Sequence, residues 1–231
     1  MLKKTIKRVI EITPYTIVRK KNVSNAIKNP LKHNTPEGMN SLFSGNAFLN
    51  KYRSKHRNEL YEYIGSKINK DYANLNQLKI ADFGCGPGLF LEYIANKYPH
   101  AKLFGFEYSS VALDIARSNC PSASLTQHDL TQPLEKDLEF DFIVCSQTLE
   151  HIPFPNIALA NIFTKVSKSN GRIVITVPDG RVDTYEGHLN FWSPESFEVW
   201  IRDYLPSEAV VEFDVLSKDS GFDYLIAIID I

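Results

Sequence analysis

The stretch Ile80-Ala-Asp-Phe-Gly-Cys-Gly-Pro-Gly-Leu-Phe90 runs an apolar segment into three alternating glycines and then directly into a helical pattern. Glycines 84, 86 and 88 lack the Cβ that would block positive φ angles and hold a ligand off the backbone, and a following helix presents unpaired N–H groups. A turn of this kind is built for a nucleotide-like cofactor. Its Gly-x-Gly-x-Gly spacing differs from the Gly-x-Gly-x-x-Gly of dinucleotide-binding turns. Downstream, Leu89 to Tyr98 reads as a helix, with apolar positions at Leu89, Phe90, Tyr93 and Ile94. The run Ala101-Lys-Leu-Phe-Gly-Phe-Glu-Tyr108 then reads as a second strand ending in Glu107. Glu107 lies 19 positions beyond Gly88, close to the roughly 20-residue offset at which a carboxylate meets a cofactor ribose.

Asp82, the glycines and Glu107, taken with two later segments, make the chain resemble the class I S-adenosylmethionine-dependent methyltransferases. The first segment, Leu125-Thr-Gln-His-Asp-Leu130, sets Asp129 where the family places an acid near the adenine amino group, with Leu130 supplying backbone contact. The second, Phe140-Asp-Phe-Ile-Val-Cys-Ser-Gln-Thr-Leu-Glu-His-Ile152, is an apolar strand followed by a Glu-His pair. The resemblance covers roughly residues 75 to 231 and leaves about the first 40 unexplained. It implies S-adenosyl-L-methionine as cofactor, bound by Asp82, Gly84, Cys85, Gly86, Gly88, Glu107, Tyr108, Asp129 and Leu130, with Ser146 and Gln147 at its methionine end. Cys85 is expected there as a small packing residue rather than a nucleophile.

The rest of the chain alternates strand and helix, as a doubly wound sheet requires. Helices are expected over 110–119 and 157–166, and strands over 140–145 and 171–177. Ser193-Pro194 supplies the N-cap and first-turn proline of a helix running to about Tyr204. The last two strands, 210–216 and 224–229, are joined by a connection around Ser217-Lys-Asp-Ser-Gly221 short enough for an antiparallel hairpin. The expected fold is therefore α/β: a doubly wound, Rossmann-like, seven-stranded sheet with a terminal antiparallel hairpin and a helical N-terminal extension. Upstream, residues 22–44 are polar and broken by Asn29-Pro30, Thr35-Pro36 and Gly38, and read as a linker or mobile cap. A helical pattern over 47–69 resembles the extra helix that closes the cofactor site in the family. The expected organisation is a basic extension or cap over 1–45 and a methyltransferase domain over 46–231.

Composition agrees with one enzyme domain: 231 residues, 43% hydrophobic and 23% charged, with no apolar run near the roughly 20 residues a bilayer span needs. Three cysteines without a Cys-x-x-Cys pair, and no signal-peptide pattern, point to a reducing, cytoplasmic compartment. The net charge of −1 conceals an asymmetry, since residues 1–32 hold nine Lys or Arg against Glu11 alone. Leu2, Ile6, Val9, Ile10 and Thr13 share a helical face among basic residues until Pro14. Residues 1–20 could thus touch an anionic membrane surface weakly, or pack on the domain or a second copy. Beyond residue 32 the chain is net acidic, which argues against nucleic acid as partner. A small-molecule or saccharide acceptor is expected, with the protein a monomer or homodimer.

Methyl transfer from a sulfonium depends on positioning, and a hydroxyl acceptor must also lose its proton. His151, after the fourth strand, and His188, in the loop after the fifth, are the candidate catalytic bases. Arg181, Tyr185, Asn190 and Trp192 in that loop are candidates to line an acceptor pocket. The run Gly187-His-Leu-Asn-Phe-Trp-Ser-Pro194 resembles methyltransferases of sugar and cell-surface polysaccharide biosynthesis. No compact His/Asp/Glu ligand set is legible, so no metal is expected. The reading is O-methylation of a sugar or polysaccharide precursor, with N-methylation open. An NAD-dependent oxidoreductase and a non-catalytic S-adenosylmethionine-binding protein are the alternatives.

Overall fold

The structure, a computed structural model, describes residues 33–45, 49–50, 52–68, 77–135, 137–206, 208–217 and 223–231. The basic amphipathic segment read near the amino terminus, and the membrane contact expected of it, lie outside these residues.

Seven strands form one sheet: β1 (Lys79–Phe83), β2 (Lys102–Glu107), β3 (Ser124–Gln127), β4 (Phe142–Ser146), β5 (Arg172–Pro178), β6 (Val210–Leu216) and β7 (Tyr224–Asp230). Their order is β3-β2-β1-β4-β5-β7-β6. The first five run parallel, while β7 pairs antiparallel with both β5 and β6. The expected doubly wound seven-stranded α/β sheet, terminal hairpin included, is the one observed. Central parallel strands are covered on both faces and so read as near-continuous apolar runs; every residue of β4 up to Cys145 is buried. Phe142 and Val144 face one core, with Ile80, Leu91, Ile94, Leu113 and Ile64. Ile143 and Cys145 face the other, with Phe83, Phe106, Leu159, Ile162 and Phe197. The two-residue side-chain period thus feeds two hydrophobic layers from one strand. All three cysteines are free and buried.

Seven helices cover the sheet among the described residues: α1 (Pro36–Phe43), α2 (Lys55–Ser66), α3 (Leu89–Lys97), α4 (Ser110–Asn119), a 3₁₀ turn (Leu149–His151), α5 (Pro155–Phe163) and α6 (Pro194–Tyr204). The caps explain several starts. The Ser109 hydroxyl accepts from Ala112 N at the head of α4, and Ser193 and Ser196 form a capping box ahead of Pro194 in α6. No described helix is long and apolar enough to cross a membrane.

Two expectations are corrected. The stretch read as a linker or mobile cap contains α1, because Thr35-Pro36 starts a helix rather than breaking one: the Thr35 hydroxyl caps Gly38 N at 3.1 Å and Pro36 occupies the first turn. The pattern over 47–69 is not a single helix either, since Ser54 caps a fresh start at Lys55.

Candidate active site

Parallel strands deliver their following loops to one edge, and between β1 and β4 the connections leave in opposite directions, opening a crevice. A cavity of about 300 Å³ lies there, in the range of small-molecule sites. Its walls come from the loops after β1 (Gly84, Gly86), β2 (Glu107, Tyr108), β3 (His128 to Thr131) and β4 (Gln147, Thr148 and His151 to Phe154), roofed by Asn34, Met39, Leu42, Phe43 and Tyr52.

The glycine turn has the conformation its composition implies: φ is +84° at Gly84, +50° at Gly86 and +75° at Gly88. At Gly84 a Cβ would stand 2.3 Å from the Thr148 hydroxyl oxygen, so the turn packs against the β4 loop with no room to spare. Glu107 is buried and folds back over this turn. Its Oε2 accepts Gly86 N at 2.9 Å and its Oε1 accepts Ser109 N at 2.8 Å. Burial raises its pKa, opposed by those N–H groups. Asp82 lies one layer deeper in β1, outside the cavity lining, and burial together with the Glu107 charge pushes it up to about 8. Asp129 uses Oδ1 to order its own loop, accepting Thr131 N at 2.9 Å and the Thr131 hydroxyl at 2.8 Å.

Of the cofactor residues expected, Gly84, Gly86, Glu107, Tyr108, Asp129, Leu130 and Gln147 line the cavity. Asp82, Cys85, Gly88 and Ser146 do not; Gly88 instead heads α3, and Ser146 shares a 2.8 Å hydrogen bond with Thr176. Gln147 is the only described non-glycine residue at positive φ, 55°. It holds that conformation through Gln147 N to Thr176 O at 2.8 Å, and strain of this kind concentrates at ligand sites.

The acceptor side is rearranged relative to expectation. His151 lines the cavity, whereas His188 sits behind it with ring centroids 4.6 Å apart. His151 Nδ1 is 3.2 Å from both Gly187 O and Asn34 Oδ1. Both neighbours are acceptors, so Nδ1 carries the hydrogen and Nε2 keeps its lone pair. Burial, reinforced by His188, drives the His151 pKa down to about 3, so the ring is neutral near pH 7. His188 Nδ1 hydrogen-bonds the Asp183 carboxylate; despite burial, that bond holds Asp183 below the usual range. His188 Nε2 faces Glu150 Oε1 at 3.9 Å. Glu150 is fully buried, neither carboxylate oxygen has a hydrogen-bond partner among the described residues, and burial lifts its pKa to about 7 against the opposing field of His188.

None of the four residues expected to line an acceptor pocket reaches the cavity. Arg181 forms a bidentate ion pair with the buried Asp179. Asn190 donates to Leu149 O and Ile152 O and so fixes the His151 loop. Trp192 is buried against Trp200 and Phe197. Tyr185 lies edge-on to His188 at 4.9 Å and lines a neighbouring hollow with His33, Leu42 and Gly187. These residues are long or aromatic and sit in a polar loop, which is also the composition of a self-bonded structural loop. Asn34 and Tyr52, which do reach the cavity, lie far upstream: Tyr52 belongs to the 47–69 pattern expected to close the cofactor site, whereas the only local signal near Asn34 was the Thr35-Pro36-Glu37 helix start. The expectation that no ligand set exists also needs correction, because Glu150, His151 and His188 bring their donor atoms within 4.8 Å of one another.

Sheet order, glycine turn and strand-end acid together define a class I S-adenosylmethionine-dependent methyltransferase. The methyltransferase-domain family matches residues 52–205, well over half of the chain, and the chain belongs to that family. It is 30% identical over 103 residues to trans-aconitate 2-methyltransferase of Variovorax paradoxus (strain S110), a match covering 45% of this chain and 39% of that one. It is 26% identical over 163 residues to ubiquinone biosynthesis O-methyltransferase of Rickettsia typhi (strain ATCC VR-144 / Wilmington), covering 64% of this chain and 62% of the relative. The chain thus spans less than two thirds of these relatives' length. Among solved structures, the N-methyltransferase NodS from Bradyrhizobium japonicum WM9, in complex with S-adenosyl-L-homocysteine, superposes with a TM-score of 0.64 at 16% identity, covering 85% of this chain and 98% of that one. That likeness shows the fold.

Proposed function

We propose that the protein transfers a methyl group from S-adenosylmethionine to a hydroxyl of a small molecule, a sugar or related metabolite. The observation that carries the reading is one cavity bounded at one side by the glycine turn and Glu107 and at the other by His151. The residues present fit the cofactor: Glu107 keeps acceptor capacity for a ribose diol beyond its two backbone partners, and a Cβ at Gly86 would project toward Tyr52 with its nearest contact at 3.5 Å. Gly84, Gly86, Glu107 and Tyr108 would hold the ribose and chain, Asp129 and Leu130 the adenine, and Gln147 the methionine end. The bound cofactor supplies an already activated methyl group on a sulfonium.

The protein's own contribution is then placement. Leu42, Phe43 and Tyr52 exclude water, and His151 presents a neutral Nε2 that accepts a hydrogen bond from the acceptor hydroxyl. His188, held by Asp183, fixes the ring beside it. The name of the Rickettsia typhi relative supports oxygen as the acceptor atom, and the Gly187 to Pro194 run supports a sugar-type acceptor.

Calorimetric titration with S-adenosylmethionine, S-adenosylhomocysteine and NAD tests the cofactor. The two sulfur nucleosides bind and Glu107→Ala weakens both; preference for NAD would overturn the reading. A transfer assay against nucleotide sugars, glycans, hydroxy acids and phenols then tests the acceptor. Turnover confined to amines sinks the hydroxyl assignment.

A further inference from the structure

We propose that Glu150, His151 and His188 form a binding site for a divalent metal ion of the zinc type, just behind the cavity wall that His151 lines. The site is built in two layers. Closest in are one carboxylate and two imidazoles, with all donor atoms within 4.8 Å of one another. Ligands at about 2.0 Å from a tetrahedral ion stand roughly 3.3 Å apart, so from separations within 4.8 Å the trio needs to draw in by at most about 1.5 Å, within reach of side-chain torsions.

The second layer is already arranged. A metal-bound histidine donates its other ring N–H to a carboxylate or backbone carbonyl, which fixes the tautomer and the ring plane. His188 does so toward Asp183 through Nδ1, and His151 toward Gly187 O at 3.2 Å through Nδ1. Both rings are therefore left with Nε2 as the lone-pair atom. Glu150 supplies an independent sign. It is 0% exposed, and its two oxygens have no hydrogen-bond partner among the described residues. An unpartnered buried carboxylate is costly and calls for a cation. Leu189 N and Asn190 N bond its main-chain oxygen, at 2.7 and 3.1 Å, so the backbone here is pinned while the carboxylate is left open.

Two imidazoles and a carboxylate suit zinc or another first-row divalent ion better than magnesium, which prefers oxygen ligands and retained waters. Three protein ligands also leave coordination open for a further oxygen, the pattern of reactive rather than structural sites. Under the methyl-transfer reading, that oxygen is the acceptor hydroxyl: with the ion bound, His151 Nε2 ligates it instead of accepting the hydroxyl's hydrogen bond, and the O–H proton departs to water, leaving the oxygen lone pair for the incoming methyl. The metal site itself stands on the geometry and does not need that reading.

The test uses the full chain, stripped of metal by chelator and dialysis and titrated with Co²⁺ followed by visible absorption, then with Zn²⁺ by calorimetry. One equivalent binds to the wild type. Glu150→Gln, which keeps the side-chain shape, and His188→Gln each weaken binding at least tenfold, and Asp183→Asn weakens it by roughly 10- to 100-fold through the second layer. S-adenosylhomocysteine affinity, measured on the same samples, stays within twofold and reports that each variant is folded. Less than a tenth of an equivalent on the wild type overturns the proposal, as does unchanged affinity in both Glu150→Gln and His188→Gln. S-adenosylhomocysteine binding without metal binding sinks the metal site alone; metal binding without it sinks the proposed cofactor and leaves the metal site standing.

Discussion

Glu107 ends β2 with each carboxylate oxygen on a backbone N–H, one from the glycine turn and one from the cap of α4, so a single side chain shapes the turn and faces the cavity. Replacing one oxygen by an amide, Glu107→Gln, sets a donor against a donor and removes the charge. A charged hydrogen bond contributes about 1.5–3 kcal/mol, so S-adenosylhomocysteine affinity should fall by roughly 10- to 100-fold with the fold intact, as calorimetry and circular dichroism would show. Asp82, just beneath, has its folded pKa raised from 3.8 to about 8 by burial and by Glu107. For a raised pKa, the folded state holds its proton while the unfolded chain has lost it, so stability is fully present below pH 3.8 and declines as pH rises toward 8. Asp82→Asn removes that decline. Its stability relative to wild type should climb between pH 5 and 8 by at most about 1.4 kcal/mol per pH unit, read from urea unfolding; a constant difference across that range would refute it. At this scale the motif residues were legible, because Gly84, Gly86 and Glu107 answer to backbone geometry that the local sequence imposes. The loop residues Arg181, Asn190 and Trp192 were not, since a polar side chain does not reveal whether it faces a ligand or its own loop.

At the scale of elements, α6 was readable because Ser193-Pro194 is a complete start signal, and the β6–β7 hairpin because its connection is too short for a crossover. Helix α1 was missed for the converse reason, that one proline can stop a helix or begin one and the deciding partner is distant. That partner is the head of α4. Asn40 Oδ1 accepts from Ser109 Oγ at 2.7 Å and from Val111 N at 3.3 Å, latching α1 over the cavity, with Phe43 and Tyr52 in ring contact beneath. Removing the latch with Asn40→Ala takes away net hydrogen bonding of about 1 kcal/mol per bond. S-adenosylhomocysteine should then dissociate roughly 5- to 30-fold faster, with global stability lowered by no more than about 2 kcal/mol. Stopped-flow displacement checks this, and an unaltered off-rate would show that α1 does not close the site.

For the molecule as a whole, a ligand that binds only the folded state stabilises it by mass action. S-adenosylhomocysteine at about 100 times its Kd should add roughly 2.7 kcal/mol, a rise in Tm on the order of 5–10 °C for a chain of this size, whereas the same concentration of NAD should leave Tm in place. Differential scanning fluorimetry separates the two. The sequence by itself determined the sheet and its two-sided core, since each strand's apolar run and each helix's period are short-range consequences of burial. It also determined the cofactor side of the site, where the turn and the strand-end acid are set within one strand–turn–helix–strand unit. Only the tertiary structure decided the other side: that Asn34 roofs the cavity, that His188 stands behind His151 rather than beside the acceptor, and that the buried Glu150 carboxylate has no hydrogen-bond partner among the described residues. Those relations join residues separated by tens to more than a hundred positions, and burial, which turns a polar side chain into a site or into a strut, belongs to the packed molecule and not to any local stretch of chain.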